Sequence, residues 1–163
     1  MKDLLKLVAE CEADLDFLGI KYRKVHNWSV NTRATSRWGC CKTIAPGLFD
    51  ISISAELLAD ELDDQKAKNT IIHELLHTVD GCHGHKGKWK RLAEKVNSAL
   101  PQYEVKCSIS YAEQGIKPDI QYKYSLRCEA CGQMIYRQRE TEVIKNPHKY
   151  RCGKCKGKLM RIY

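Results

Sequence analysis

Lys66-Ala67-Lys68-Asn69-Thr70-Ile71-Ile72-His73-Glu74-Leu75-Leu76-His77-Thr78-Val79 is the stretch that decides how this chain folds. Ile71, Ile72, Leu75, Leu76 and Val79 form an apolar stripe of helical period, so the segment reads as a helix laid on a core, stopped by Asp80-Gly81. His73, Glu74 and His77 spell HExxH on that helix. Positions four apart share a face, so both imidazoles can reach one ion. Glu74, one step round, can take a proton from a water that zinc has acidified. The bland alternative is a hydrogen-bonded pair of core histidines. Burying two histidines and a glutamate without a metal is costly, which weighs against it.

A catalytic zinc takes three protein ligands and keeps one position open, so a third ligand is needed. The candidates are His83, His85 and Glu94. His83 has the offset of HExxHxxGxxH, but the glycine falls one place late, at Gly81 instead of position 80. Glu94 would come from the following helix. Spacing alone leaves the choice open.

Working outward, Leu4, Leu5, Leu7, Val8, Cys11, Leu15 and Leu18 recur at helical spacing and predict an amphipathic first helix. Residues 31–42 and 49–54 read as two strands joined through Ala45-Pro46-Gly47, the second alternating Phe49, Ile51 and Ile53 with polar neighbours. Residues 55–65 predict a short acidic helix, and residues 88–100 another helix ended by Pro101. No stretch approaches a membrane span, and the acidic residues within the N-terminal segment argue against a secretory signal. A cytoplasmic protein is expected.

Cys128-x2-Cys131 and Cys152-x2-Cys155 fit two knuckles of one tetrahedral thiolate site, with Gly132, Gly153 and Gly157 suited to the tight turns. A redox dithiol is the weaker reading of two pairs at this spacing. The other five of the nine cysteines, Cys11, Cys40, Cys41, Cys82 and Cys107, are expected to pack as small hydrophobes. Residues 1–116 hold sixteen Lys/Arg against sixteen Asp/Glu, whereas residues 117–163 hold twelve against four. The whole net charge of +8 therefore sits on the cysteine-bearing tail, which suggests an anionic partner, nucleic acid first. Arg137, Arg139, Lys145, Lys149 and Arg151, interleaved with Tyr136 and Tyr150, form a composition suited to phosphates and stacked bases, single-stranded DNA being preferred. For any one of them an ordinary solvated position is the default.

The stretch HELLHTVDGCHGHKGKWKRLAEKVN resembles the SprT-like zinc metalloprotease family, which includes the Spartan-related proteases. The likeness rests on an HExxH helix, a short loop, and a histidine four residues before an aromatic, here His85 and Trp89. It extends upstream to Trp38-Gly39 and the FDISIS strand, and downstream to the cysteine ribbon. The resemblance implies an α+β, zincin-like metallopeptidase domain over residues 1–116, with a small β-hairpin sheet beside the HExxH helix, then a zinc ribbon over residues 117–163. It implies His85 as third ligand, with Glu74 as general base. Two zinc ions per chain are expected, one catalytic on His73, His77 and His85 and one structural on Cys128, Cys131, Cys152 and Cys155. The implied activity is endopeptidase cleavage of proteins bound or crosslinked to DNA, by a monomer associated with the nucleoid if bacterial. An edge strand at residues 49–54 could hold substrate backbone by strand addition. The alternative is a nucleic-acid-binding zinc protein whose HExxH site is structural or inactive.

Overall fold

The computed structural model describes residues 1–34, 37–115 and 121–162, and the chain divides into two compact units, Met1–Ile116 and Lys117–Tyr163. It is a mixed α+β protein with two small sheets. Among the described residues no helix is long and apolar enough to cross a membrane.

In the first unit the chain runs through α1 (Leu4–Phe17), β1 (Val25–Asn31), β2 (Gly39–Ala45) and β3 (Leu48–Ser54). A single 3-10 turn at Ala55–Leu58 leads into α2 (Asp64–His77), then α3 (Lys88–Ala99) and the short α4 (Tyr111–Gln114). Asp3 caps α1 by accepting from the Leu5 and Lys6 N–H groups, and Asp63 caps α2 by accepting from Gln65. Each cap satisfies donors that the first turn of a helix leaves without a partner. Buried Leu4, Leu7, Val8, Cys11 and Leu15 on α1 meet Ala67, Ile71, Ile72, Leu75 and Leu76 on α2. Trp89, Ala93 and Val96 of α3 complete the core. α2 touches α1, α3, β2 and β3, so the HExxH segment lies at the centre of the unit.

The strands differ from the expectation. β3 is central, parallel to β1 and antiparallel to β2, giving the order β1-β3-β2. The expected strand over residues 31–42 is instead the end of β1 and the start of β2, with a connection between them that includes residues 35 and 36, outside the described set. Both edges of residues 49–54 are filled by neighbouring strands, which removes them as a site for strand addition; β1 and β2 are the edges. The acidic segment 55–65 forms only the 3-10 turn, since Ala59 leaves the helical conformation and the capped start of α2 follows.

The second unit holds β4 (Tyr124–Cys128), β5 (Met134–Arg137), α5 (Glu142–Lys145) and β6 (Leu159–Arg161), with sheet order β5-β4-β6. Its core is small: Leu126, Cys128, Ile144, Cys152 and Leu159. So few apolar side chains contribute little stability alone, and a unit of this size ordinarily needs a staple such as a metal. Of the five cysteines expected to pack, Cys11 and Cys82 are buried and Cys40 and Cys41 half-buried, but Cys107 is exposed.

Candidate metal centres and the comparisons

His73 and His77 stand one turn apart near the C-terminal end of α2, and His85 comes from the loop before α3. Their Nε2 atoms converge: 2.8 Å from His73 to His85, 3.0 Å from His77 to His85 and 3.3 Å from His73 to His77. The opposite ring nitrogens are engaged by main chain. His73 Nδ1 lies 2.8 Å from the Lys106 carbonyl oxygen, and His77 Nδ1 2.9 Å from that of Cys82. A carbonyl only accepts, so in each case Nδ1 carries the proton and donates, leaving Nε2 with a lone pair. Two such acceptors facing each other cannot bond to one another; a shared cation would resolve the conflict. Burial reinforces this by pushing His73 down to about 4, which keeps it neutral near pH 7.

The donor set fits zinc. Bonds of about 2.0–2.1 Å place tetrahedral nitrogens about 3.3–3.4 Å apart, close to the spacing of these three, and three imidazoles leave a fourth position open. His83 is exposed and stands outside the cluster, and Glu94 is an exposed residue of α3. Trp89 forms a wall, its ring 4.8 Å from His73, 5.7 Å from His77 and 4.7 Å from His85.

Glu74 shares the cleft with these imidazoles and with Arg37, Gly39 and Cys41. Burial, the larger influence, raises its carboxyl to about 7 from an ordinary 4.5; the Cys41 N–H bonded to it and the Arg37 charge act in the opposite direction. A base poised there can accept a proton near neutral pH. Cys41 itself is a poor nucleophile, because burial first and the Glu74 charge second push its thiol up to about 12. The residues sequence reasoning passed over are those that hold the site: Lys106 and Cys82 through their carbonyls, and Gly39 and Cys41 through the β2 backbone. Only Trp38-Gly39 left a trace in the sequence, as part of the family likeness.

In the second unit Cys128, Cys131, Cys152 and Cys155 bring their sulfurs within 4.8 Å of one another, with Cys128 to Cys155 at 3.5 Å and Cys131 to Cys152 at 3.7 Å. Zinc–sulfur bonds of about 2.3 Å would set tetrahedral sulfurs about 3.8 Å apart. Main-chain N–H groups point at the sulfurs. Those of Cys131 and Ala130 lower the Cys128 thiol, and those of Cys155 and Lys154 pull Cys152 down to about 6, favouring the thiolate a metal requires. Gly132 takes a positive φ of 71°, as its turn requires, whereas Gly157 fits a cradle: a Cβ there would lie 2.9 Å from Cys128 Sγ. Gly153 meets neither condition.

The cationic and aromatic positions singled out in the tail are all exposed: Tyr136, Arg137, Arg139, Lys145, Lys149, Tyr150 and Arg151. Lys149 lies 3.9 Å from Glu142, and Arg151 donates to the His148 and Tyr150 carbonyls. Tyr136 pairs with Tyr122 at 5.3 Å, and the Arg161 guanidinium lies 5.3 Å from the Tyr124 ring. Tyr122, Tyr124 and Arg161 were not among the positions singled out, because they flank the knuckles instead of lying between them.

The family model described as the SprT-like family matches residues 11–109, a span that ends before the first ribbon cysteine. A protein named Protein SprT-like from Lactococcus lactis subsp. lactis (strain IL1403) is 35% identical over 98 residues, covering 57% of this chain and 56% of that protein. Another of the same name, from Bacillus subtilis (strain 168), is 30% identical over 97 residues, 59% of this chain and 56% of its own length. A third, from Lactiplantibacillus plantarum (strain ATCC BAA-793 / NCIMB 8826 / WCFS1), is 27% identical over 118 residues, 69% of this chain and 70% of that protein. The chain thus spans little more than half the length of the first of these relatives. With a matching model over more than half of its residues, the chain belongs to the SprT-like family.

Proposed function

We propose that the chain is a zinc-dependent endopeptidase of zincin type that cleaves proteins bound or crosslinked to DNA, its ribbon supplying the nucleic-acid contact. The observation that carries the reading is three imidazoles whose Nε2 atoms converge on one point, beside a buried carboxylate poised near neutrality. His73, His77 and His85 would hold the catalytic zinc, and Cys128, Cys131, Cys152 and Cys155 a structural one. When bound, the catalytic ion supplies Lewis acidity that polarises a carbonyl and acidifies water.

The rest of the chemistry belongs to side chains and backbone. Glu74 takes the proton from the attacking water and returns it to the amine that leaves, steadied by the Cys41 N–H. Lys106 and Cys82 hold the proton on Nδ1 of His73 and His77, so that neither ring turns its donor toward the cleft. β2 is an edge strand bordering the cleft, so substrate backbone adds there and not at residues 49–54. Strand addition reads main chain, which suits an enzyme tolerant of many sequences.

For the ribbon, the ring pair Tyr122 and Tyr136, with Tyr124 and Arg161 lining the same surface depression as Tyr122, favours single-stranded nucleic acid: exposed bases stack on the rings while cations meet phosphates. Incubating a DNA-binding protein with the native or E74Q chain, with and without single-stranded DNA, tests the reading. Cleavage by the native chain alone, accelerated by DNA, is expected. Equal loss of the substrate with E74Q would refute it, and DNA binding without any cleavage would leave a nucleic-acid-binding zinc protein.

A further inference from the structure

We infer that Gly39 is a positioning residue for the base: the absent side chain at the start of β2 is what leaves room for the Glu74 carboxylate, and any Cβ there displaces it. The inference rests on the peptidase reading, because it concerns the group that takes the proton.

A Cβ built on Gly39 would lie 2.5 Å from Glu74 Oε1, 2.7 Å from Glu74 Cγ and 2.8 Å from Thr70 Cγ2. These are overlaps, not contacts. Gly39 is not among the glycines with positive φ, so its need for glycine comes from close approach and not from backbone conformation.

The question is which partner yields. β2 is pinned at this point: the Trp38 carbonyl accepts from the Ser54 N–H at 2.8 Å, Gly39 pairs with Ile53 of β3, and the Trp38 indole N–H donates to the Ile109 carbonyl at 3.0 Å. α2 is pinned as well, because Ile71 and Leu75, between and beside Thr70 and Glu74, are fully buried in a close-packed core. Thr70 is further held by its hydroxyl, which donates to the Lys66 carbonyl at 3.2 Å. The least constrained element is the Glu74 side chain, which can leave by rotating about its own bonds. In doing so it gives up the Cys41 N–H and its place in the cleft. His73 and His77 are aimed independently, by the Lys106 and Cys82 carbonyls, and His85 comes from the loop before α3, so the three imidazoles stay. Gly39 substitution thus separates two properties usually lost together: the base goes and the metal ligands remain.

The test uses the full chain with G39A and, for stability, T70S/E74A with and without G39A. Zinc content is read by elemental analysis, kcat and KM on a fluorogenic peptide, and the melting midpoint on metal-free protein. G39A should keep the zinc content of the native chain and lose about 100-fold or more in kcat, the ordinary scale of a general base, with KM within about threefold. G39A should lower the native midpoint by at least about 3 °C, but hardly at all in T70S/E74A, where the three overlapping atoms are gone. Equal falls in the melting midpoint in the native and T70S/E74A backgrounds, or a G39A chain as active as the native one, would overturn the inference. Coupled melting with no cleavage by the native chain would sink the peptidase reading and leave Gly39's hold on Glu74 standing.

Discussion

Replacing Gly157 by alanine should loosen the hold on zinc proposed for the four cysteines, and the size of the loss follows from three distances. The new methyl would sit 2.8 Å from Ala130 Cβ, 2.9 Å from Cys128 Sγ and 3.3 Å from Cys155 Sγ, so it presses on two of the four ligands at once. Retreat is difficult, because the Gly157 N–H bonds to the Cys155 sulfur and its carbonyl accepts from the Cys152 N–H at 2.9 Å. Overpacking of this kind costs about 1–3 kcal/mol. At about 1.4 kcal/mol per tenfold, zinc affinity should fall by about 5- to 150-fold. Gly153, in the same knuckle, has nothing within 4 Å of where its Cβ would stand and supplies the control. The assay is competition for zinc against a colorimetric chelator, in an H77A background so that the ribbon site is read alone. G157A should release zinc at lower chelator concentration than its parent, with G153A unchanged. If both glycine variants hold zinc like the parent, or both weaken equally, the reasoning from the cradle is wrong.

E74Q should abolish peptide cleavage and retain zinc, and elemental analysis beside a peptide assay checks both. H85A should strip zinc from the histidine site while H83A leaves it; the reverse outcome would mean that the convergence at Nε2 has been misread. The metal-free fold should respond to pH through Glu74, whose carboxyl is raised to about 7 from 4.5. A raised folded value means that the fold favours the protonated form. Its contribution is therefore fully present below about pH 4.5 and is lost as pH climbs to about 7, leaving a penalty of up to about 3 kcal/mol above that. E74Q should thus raise the metal-free melting midpoint at pH 8 and change little at pH 4.5; an equal effect at both would count against a buried carboxylate. Deleting residues 117–163 should erase DNA binding whose log affinity falls with log salt at a slope of about −3 to −4, as about four phosphate contacts would give on duplex. Fluorescence anisotropy of truncated and full chains at two salt concentrations decides it.

The helices were legible because their cause is local. The stripe from Ile71 to Val79 and the caps at Asp3 and Asp63 belong to short windows of sequence, and α1, α2 and α3 lie within a few residues of where periodicity puts them. The sheet was less legible because its cause is distant. β1 reads VHNWSVN, largely polar, and earns its place only by lying parallel to β3, a pairing that no local pattern announces. The same distance explains the error about the edge strand: alternation in FDISIS shows one buried face, but not that both edges are occupied. In the histidine site, the one-turn spacing of His73 and His77 was visible. Spacing could not choose among His83, His85 and Glu94, because a loop of Gly81 to Gly87 can aim either histidine. The carbonyls of Lys106 and Cys82 and the close approach of Gly39 were invisible, since backbone positions leave no side chain to read.

Trp89 has a use beyond packing. It is 1% exposed and stands within 5.7 Å of the ring centre of each of the three clustered histidines. Trp28 and Trp38 are both partly exposed, whereas this indole is buried against the imidazoles. Its emission should therefore track what those rings carry: a paramagnetic ion such as cobalt(II) or copper(II) quenches a neighbouring indole, and protonated imidazole does so more weakly. The fold has in effect built a fluorophore into the wall of its own histidine cluster, so that loading and stripping of that site can be timed in solution without a label or a substrate.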